Sequence, residues 1–185
     1  KTSFAIGNIQ VAFLTALSII NLGLFELLST ELNIKKESEM ICLIILFYAG
    51  FSFITTLTRE IAKDLEDIEG DMKISAGTLA IKYGIKKTNY ILLILNSITI
   101  LAIIYFQYYQ YSVLNSTFSV ELSYWGANKT AVIYTLILQL LIVFQAYRIY
   151  QSKTKKDFHI ISTLSKIIML IGILSIPLFT LLHQQ

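Results

Sequence analysis

The chain has 185 residues, 55% of them hydrophobic, and a mean hydropathy of +0.66, which excludes an ordinary water-soluble domain. The net charge of +3 comes from basic residues in short loops between apolar runs, so it does not mark a nucleic-acid surface. A single proline and eight glycines leave no room for a disordered linker. The lone Cys42 has no partner for an internal disulfide and reads as a small packed core residue.

Apolar runs of bilayer-spanning length recur along the chain, and they predict a polytopic membrane protein. Lys1 is followed by an apolar run within four residues, with no methionine and no signal-like region, so the sequence reads as starting mid-protein. The first span is expected at about Phe4 to Leu28. Its Asn8, Gln10, Asn21 and Glu26 point to one side facing a polar interior, although such amides also serve simply to bridge helices. The second span, Met40 to about Thr58, is expected to continue as helix into an acidic stretch until Gly70 loosens it.

A polar connector follows, with Gly77 and Gly84 as breakers. The third span is expected at Tyr90 to Phe106. The loop after it holds Tyr108, Tyr109, Tyr111, Tyr124 and Trp125, an interfacial aromatic belt. The fourth span is Ala131 to Tyr147. The last is Ile160 to Leu182, with Pro177 as a candidate kink and Lys166 snorkelling to the interface. The fold class is therefore all-α, a polytopic membrane helix bundle with five transmembrane helices. Eleven of the fifteen Lys and Arg residues fall at Lys1 and in the connectors 59–87 and 148–156. The positive-inside rule then puts those segments, and the acidic stretch, at the cytoplasmic face.

That acidic stretch, Thr58 to Asp71, holds six of the twelve acidic residues: Glu60, Asp64, Glu66, Asp67, Glu69 and Asp71. On a continuous helix Glu60, Asp64, Asp67 and Asp71 would share an arc of about 60°. Arg59 and Lys63 offset only part of the charge. A solvated helix end is the bland explanation, but here the acids abut a membrane-length helix, where carboxylates usually mark an ion or substrate site. Hard carboxylate oxygens favour Mg²⁺, which is commonly shared with substrate phosphates. Such a site suits gripping a diphosphate at the mouth of an apolar bundle that shelters an allylic cation from water. Arg59, Lys63 and Lys73 are the candidate diphosphate clamp. His159 and His183 are far apart and in no metal-ligand spacing, and no glycine-rich phosphate loop or serine elbow is present.

The run REIAKDLEDIEGD, followed by Gly77-Thr78-Leu79-Ala80-Ile81 and Gly84, resembles the second aspartate-rich motif of the UbiA-type intramembrane prenyltransferases. Lys1-Thr2 and Gly7-Asn8 resemble the start of that family's fifth helix. The resemblance implies a Mg²⁺–diphosphate site at Asp67 and Asp71, with Asp64 as an adjacent third metal ligand. It also implies diphosphate contacts from Arg59, Lys63, Lys73, Lys1 and Asn8. The expected substrates are a polyprenyl diphosphate and a lipophilic acceptor, in the cell membrane of a bacterium or archaeon. The motif is most similar to geranylgeranylglyceryl-phosphate geranylgeranyltransferase-like members, which make ether lipid. Aromatic-acceptor enzymes of quinone or haem synthesis are the alternative within the family.

Members have about nine spans and a first motif, Asn/Asp-x-x-x-Asp, on the second helix. The present chain has five spans and lacks that motif. Residues 1–185 therefore resemble helices five to nine, the C-terminal portion of one domain. The N-terminal helices are expected as the missing partner, and these residues alone are expected to be inactive. Two readings from other classes remain open: a cation-coupled transporter subunit using the acidic face, and a non-catalytic lipid-binding scaffold. A transporter site is expected near the midplane with repeated broken helices, and no internal repeat is visible.

Overall fold

The computed structural model describes residues 6–29, 35–74, 76–109, 112 and 129–183. Among them are six helices: α1 (Ile6–Ser29), α2 (Lys35–Glu66), α3 (Ile68–Lys73), α4 (Leu79–Tyr109), α5 (Lys129–Gln151) and α6 (Lys155–His183). All but α3 are long and apolar enough to cross a membrane. Lys1 and most of the expected aromatic loop, including Tyr111, Tyr124 and Trp125, lie outside the described residues.

The centre of the bundle is α2, which packs against α1, α4 and α6, while α5 closes the ring between α4 and α6. The inward stripes recur every three or four residues. On α4 they are Thr88, Leu92, Asn96, Thr99, Ile103 and Phe106, and on α5 Ala131, Thr135, Leu138, Ile142, Gln145 and Ile149. That alternation is the seam of nearly parallel, left-handed packing. The outward faces carry large apolar residues such as Leu101, Leu140 and Leu170, each more than half exposed. An interior richer in Thr, Ser, Asn and Gln than the exterior is the reverse of a soluble bundle, and it suits lipid as the outer solvent.

Two apolar clusters fill the ring. One, at the acidic end, holds Ile61, Leu65, Leu92, Ile149, Phe158 and Ile161. The other, deeper, holds Ile103, Leu138, Ile142 and Ile168. Beside it Phe47 and Phe106 stack at 4.0 Å between centroids. Polar links tie the helices between these layers. Tyr134 donates to Ile171 O at 2.6 Å, Tyr48 and Ser175 share a bond of 2.6 Å, and Gln145 donates to Ser165 Oγ at 2.6 Å. Gln107 donates to Thr135 and accepts from Gln139.

Several boundaries differ from expectation. Helix α2 ends at Glu66, before Gly70, because Asp67 takes φ −97° and ψ 9°, outside the helical well. The third span begins well before Tyr90. Gly84 does break the helix, at φ +73°, a conformation open to glycine, but the chain resumes as helix on both sides. Cys42 is exposed rather than packed, since it lies off the α2 stripe that meets α1, α4 and α6. Among the described side chains, Asn8 and Thr15 of α1 reach α2 through hydrogen bonds, while Gln10 and Asn21 are exposed and the Glu26 side chain lies outside those described. Lys166 is exposed on α6, and α6 runs on through Pro177 to His183.

The α1–α2 contact depends on small residues. Ala12, Ala16 and Ala49 are buried, and a Cβ on Gly23 would sit 2.5–2.8 Å from three side-chain atoms of Ile45. Gly23→Ala should therefore destabilise the bundle by about 1–3 kcal/mol through overpacking. Gly50→Ala, which meets open space, should be neutral or stabilising by up to about 1 kcal/mol. Thermal unfolding in one detergent compares the two variants directly.

Candidate active site

The last three turns of α2 are sorted by face. Thr58, Ile61, Ala62 and Leu65 are buried towards the ring, each at 3% exposure or less. Glu60 and Asp64 stand one turn apart on another face and are half-buried. At roughly 1.5 Å per residue the 32 residues of α2 span about 48 Å, against a hydrocarbon core of about 30 Å. An end of the helix must leave the hydrocarbon, and the acids occupy one such end.

Each of the three carboxylates in the last turns of α2 has a partner. Glu60 accepts from Arg59 at 2.7 Å. Glu66 meets His159 Nδ1 of α6 at 2.8 Å. Asp64 accepts from Asn8 Nδ2 at 2.6 Å, which fixes the start of α1 to the end of α2. Asp71, Glu60 and Asp67 all lie within electrostatic reach of Asp64.

Past the break the picture changes. Asp71 N donates to Asp67 O at 3.0 Å, so these two residues are one turn apart across the junction with α3. Gly70 N also donates to Asp67 O, at 2.9 Å, and Ala76 N to Asp71 O, at 2.9 Å, so the backbone around the pair is tied down. Among the described residues, the carboxylates of Asp67 and Asp71 accept no hydrogen bond and no ion pair. Asp67 is exposed and Asp71 half-buried. Lys63 and Lys73 are exposed, and among the described residues neither ammonium is ion-paired. Arg59 is spent on Glu60, and its Nε is buried without a partner.

Of the expected site residues, the structure thus joins Asn8 to Asp64 and sets Asp67 and Asp71 beside each other. Lys1 lies outside the described residues. Among those residues no three His, Cys, Asp or Glu side chains converge as a closed metal cage. Mg²⁺ characteristically takes one or two carboxylates and completes its shell with water and phosphate. The unpartnered oxygens of Asp67 and Asp71 fit that donor set.

The pairing of His159 with Glu66 escaped the sequence, where the two residues are 93 apart. A local signal did exist. Thr154 and Asp157 form a capping box, with Thr154 Oγ1 donating to Asp157 Oδ2 at 2.7 Å and Asp157 N donating back to Thr154 Oγ1 at 3.4 Å. That box fixes the start of α6 and puts His159 on its first turns.

Comparison with known proteins adds to this geometry. The chain is 36% identical over 174 residues to the digeranylgeranylglyceryl phosphate synthase of Methanosphaera stadtmanae, covering 92% of this chain and 52% of that protein. The chain is homologous to the UbiA-type prenyltransferases. Synthases of the same name from Methanobrevibacter smithii and Thermococcus onnurineus match at 41% over 86 residues and 28% over 129. These matches cover 46% and 70% of this chain, and 27% and 41% of those proteins. The chain thus spans about half the length of the Methanosphaera stadtmanae protein. No family model matches the chain, and no solved structure does.

The Asn8–Asp64 bond is the most direct link between α1 and this site. A hydrogen bond to a carboxylate contributes roughly 1.5–3 kcal/mol, and half-exposure argues for the lower end. Asn8→Ala should lower stability by about 1–2 kcal/mol, and Asn8→Asp by more, because it sets a second negative charge against Asp64. Unfolding curves at neutral pH distinguish the two substitutions.

Proposed function

We propose that this chain forms one wall of an intramembrane prenyltransferase site, moving a prenyl group from a polyprenyl diphosphate to a lipid acceptor. The observation that carries the reading is the Asp67–Asp71 pair, unpartnered and one turn apart where a bilayer-length helix ends. The names of the relatives support an acceptor of the prenylated glycerol phosphate type, and thus ether-lipid synthesis.

In this reading Asp67 and Asp71 would hold a Mg²⁺ ion. The ion, when bound, would offset the charge that develops on the diphosphate oxygens. Lys63 and Lys73 are free to reach those same oxygens. Asn8 holds Asp64 in place, so that a third carboxylate stands beside the pair without swinging into it. The bond between the allylic carbon and the diphosphate oxygen breaks, with its electrons leaving on that oxygen. The acceptor's hydroxyl oxygen forms the new bond to carbon and gives up its proton to the departing diphosphate. The apolar ring behind Thr58, Ile61 and Leu65 keeps water from the reacting carbon. The basic connectors share this end of the bundle, which supports a cytoplasmic site.

The half of the relatives' length that the chain does not span is read as supplying the opposing aspartate motif. The 185 residues alone should then transfer nothing, and joining them to helices with an Asn/Asp-x-x-x-Asp motif should give activity. In that longer protein, Asp67→Ala or Asp71→Ala should cut turnover by about 10²–10³-fold. Membrane insertion and thermal unfolding should stay as in the parent. Transfer of label from geranylgeranyl diphosphate to geranylgeranylglyceryl phosphate is the assay. Unchanged turnover in both variants rules the site out, and full activity from the 185 residues rules out the shared-wall arrangement.

A further inference from the structure

A cleft whose lining includes none of the aspartates lies between the start of α4 and the end of α5. It encloses about 460 Å³ and is lined by Lys86, Asn89, Tyr90, Leu93, Tyr150 and Lys153 among others. We propose that it binds the headgroup of an anionic, hydroxyl-bearing glycerophospholipid of the surrounding membrane. The inference does not depend on the prenyl-transfer reading.

Three observations converge on that chemistry. First, the two lysines are exposed on the rim, and among the described residues neither ammonium is ion-paired. The carboxylate closest to Lys153 in sequence, Asp157, is engaged by the backbone N–H groups of Lys153 and Thr154, by the Thr154 hydroxyl and by Arg148. Basic pockets between membrane helices at the bilayer face are where phosphate headgroups bind.

Second, Tyr90 and Tyr150 flank the cleft at 64% and 75% exposure, at the level where aromatic side chains mark the interface. Beyond them the outward faces of α4 and α5 continue as Ile94, Leu101, Leu140 and Phe144, a wall on which acyl or isoprenoid chains can lie.

Third, Asn89 is half-used. Its Nδ2 donates to Ile149 O and Ser152 O, each at 3.3 Å, and to Ser152 Oγ at 3.1 Å. Two of those acceptors are carbonyls, which fixes the orientation of the amide. Its Oδ1 is buried and, among the described residues, has no donor. A buried carbonyl oxygen at the wall of a basic cleft calls for a hydroxyl donor, which a glycerol headgroup has and a choline headgroup lacks.

Native mass spectrometry of the full chain in detergent, titrated with short-chain lipids, tests this. Phosphatidylglycerol should be retained, and phosphatidylcholine should not. Lys86→Gln/Lys153→Gln should weaken phosphatidylglycerol binding by about 25-fold, at about fivefold per lysine. Lys155→Gln/Lys156→Gln removes the same charge from the neighbouring helix start, outside the cleft, and should change binding by less than about twofold. Phosphatidylmethanol has the charge without the hydroxyl and should bind about fivefold more weakly than phosphatidylglycerol. Equal loss in both lysine pairs, or loss in neither, overturns the site. Equal affinity for the two anionic lipids overturns the role of Asn89. Displacement by glycerol 3-phosphate or inorganic phosphate at the lipid's own affinity overturns a membrane lipid in favour of a soluble anion.

Discussion

A carboxylate next to hydrocarbon must be wet, paired or neutral, and this constraint shapes the end of α2. Three of its acids are paired inside the helix or with its neighbours: Glu60 with Arg59, Glu66 with His159, Asp64 with Asn8. Two of these pairs also join helices, because Asn8 belongs to α1 and His159 to α6. The charges that burden the helix are therefore the points at which the first and last helices are fastened to the central one. Where the helix breaks, the same solution is no longer available. Asp67 and Asp71 stand past the last turn of α2, on a short segment whose backbone is tied down while its side chains are not.

The rest of the bundle has the opposite problem. Lipid gives no hydrophobic drive for helices to associate, so close packing and interhelical hydrogen bonds have to hold them. Small residues bring α1 onto α2, and Gln107, Gln145, Tyr48 and Tyr134 reach across helix pairs. Such links are directional, which large apolar contacts are not. They fix the rotation of α5 and α6 about their axes, and that rotation sets where the first turn of α6, with His159, meets Glu66.

Much of this was legible in the sequence, for physical reasons that can be named. The five spans were readable because each is a long apolar run bounded by charge, and Gly84 announced its break through the absence of a side chain. The family showed in the acidic motif itself, and the homology agrees. The break at Asp67 was not readable. No glycine or proline marks it, and the neighbouring residues are good helix formers, so the departure comes from how α3 must turn to meet α4. Cys42 was misjudged because an apolar run in a membrane protein has an outside as apolar as its inside. Glu66–His159 and Asn8–Asp64 are contacts across 93 and 56 residues, and no local pattern encodes which acid meets which partner.

The break at Asp67 then has a consequence for chemistry. A straight helix would have stacked Glu60, Asp64, Asp67 and Asp71 on one face, and four like charges so aligned would repel one another along its length. In the structure Glu60 and Asp64 stay on α2 with partners, whereas Asp67 at the junction and Asp71 on α3 have none among the described residues, although Asp71 remains within electrostatic reach of Asp64. In the reading proposed above, a site that takes up and releases a charged leaving group benefits from that arrangement. The paired acids keep the scaffold fixed whether or not an ion is bound, so binding need not reorganise the helices. The unpaired acids keep their oxygens available, and they lie beyond the membrane-length helix, where water can hydrate them between turnovers. In that reading stability falls to the partnered carboxylates of the motif, and binding to those without a partner among the described residues.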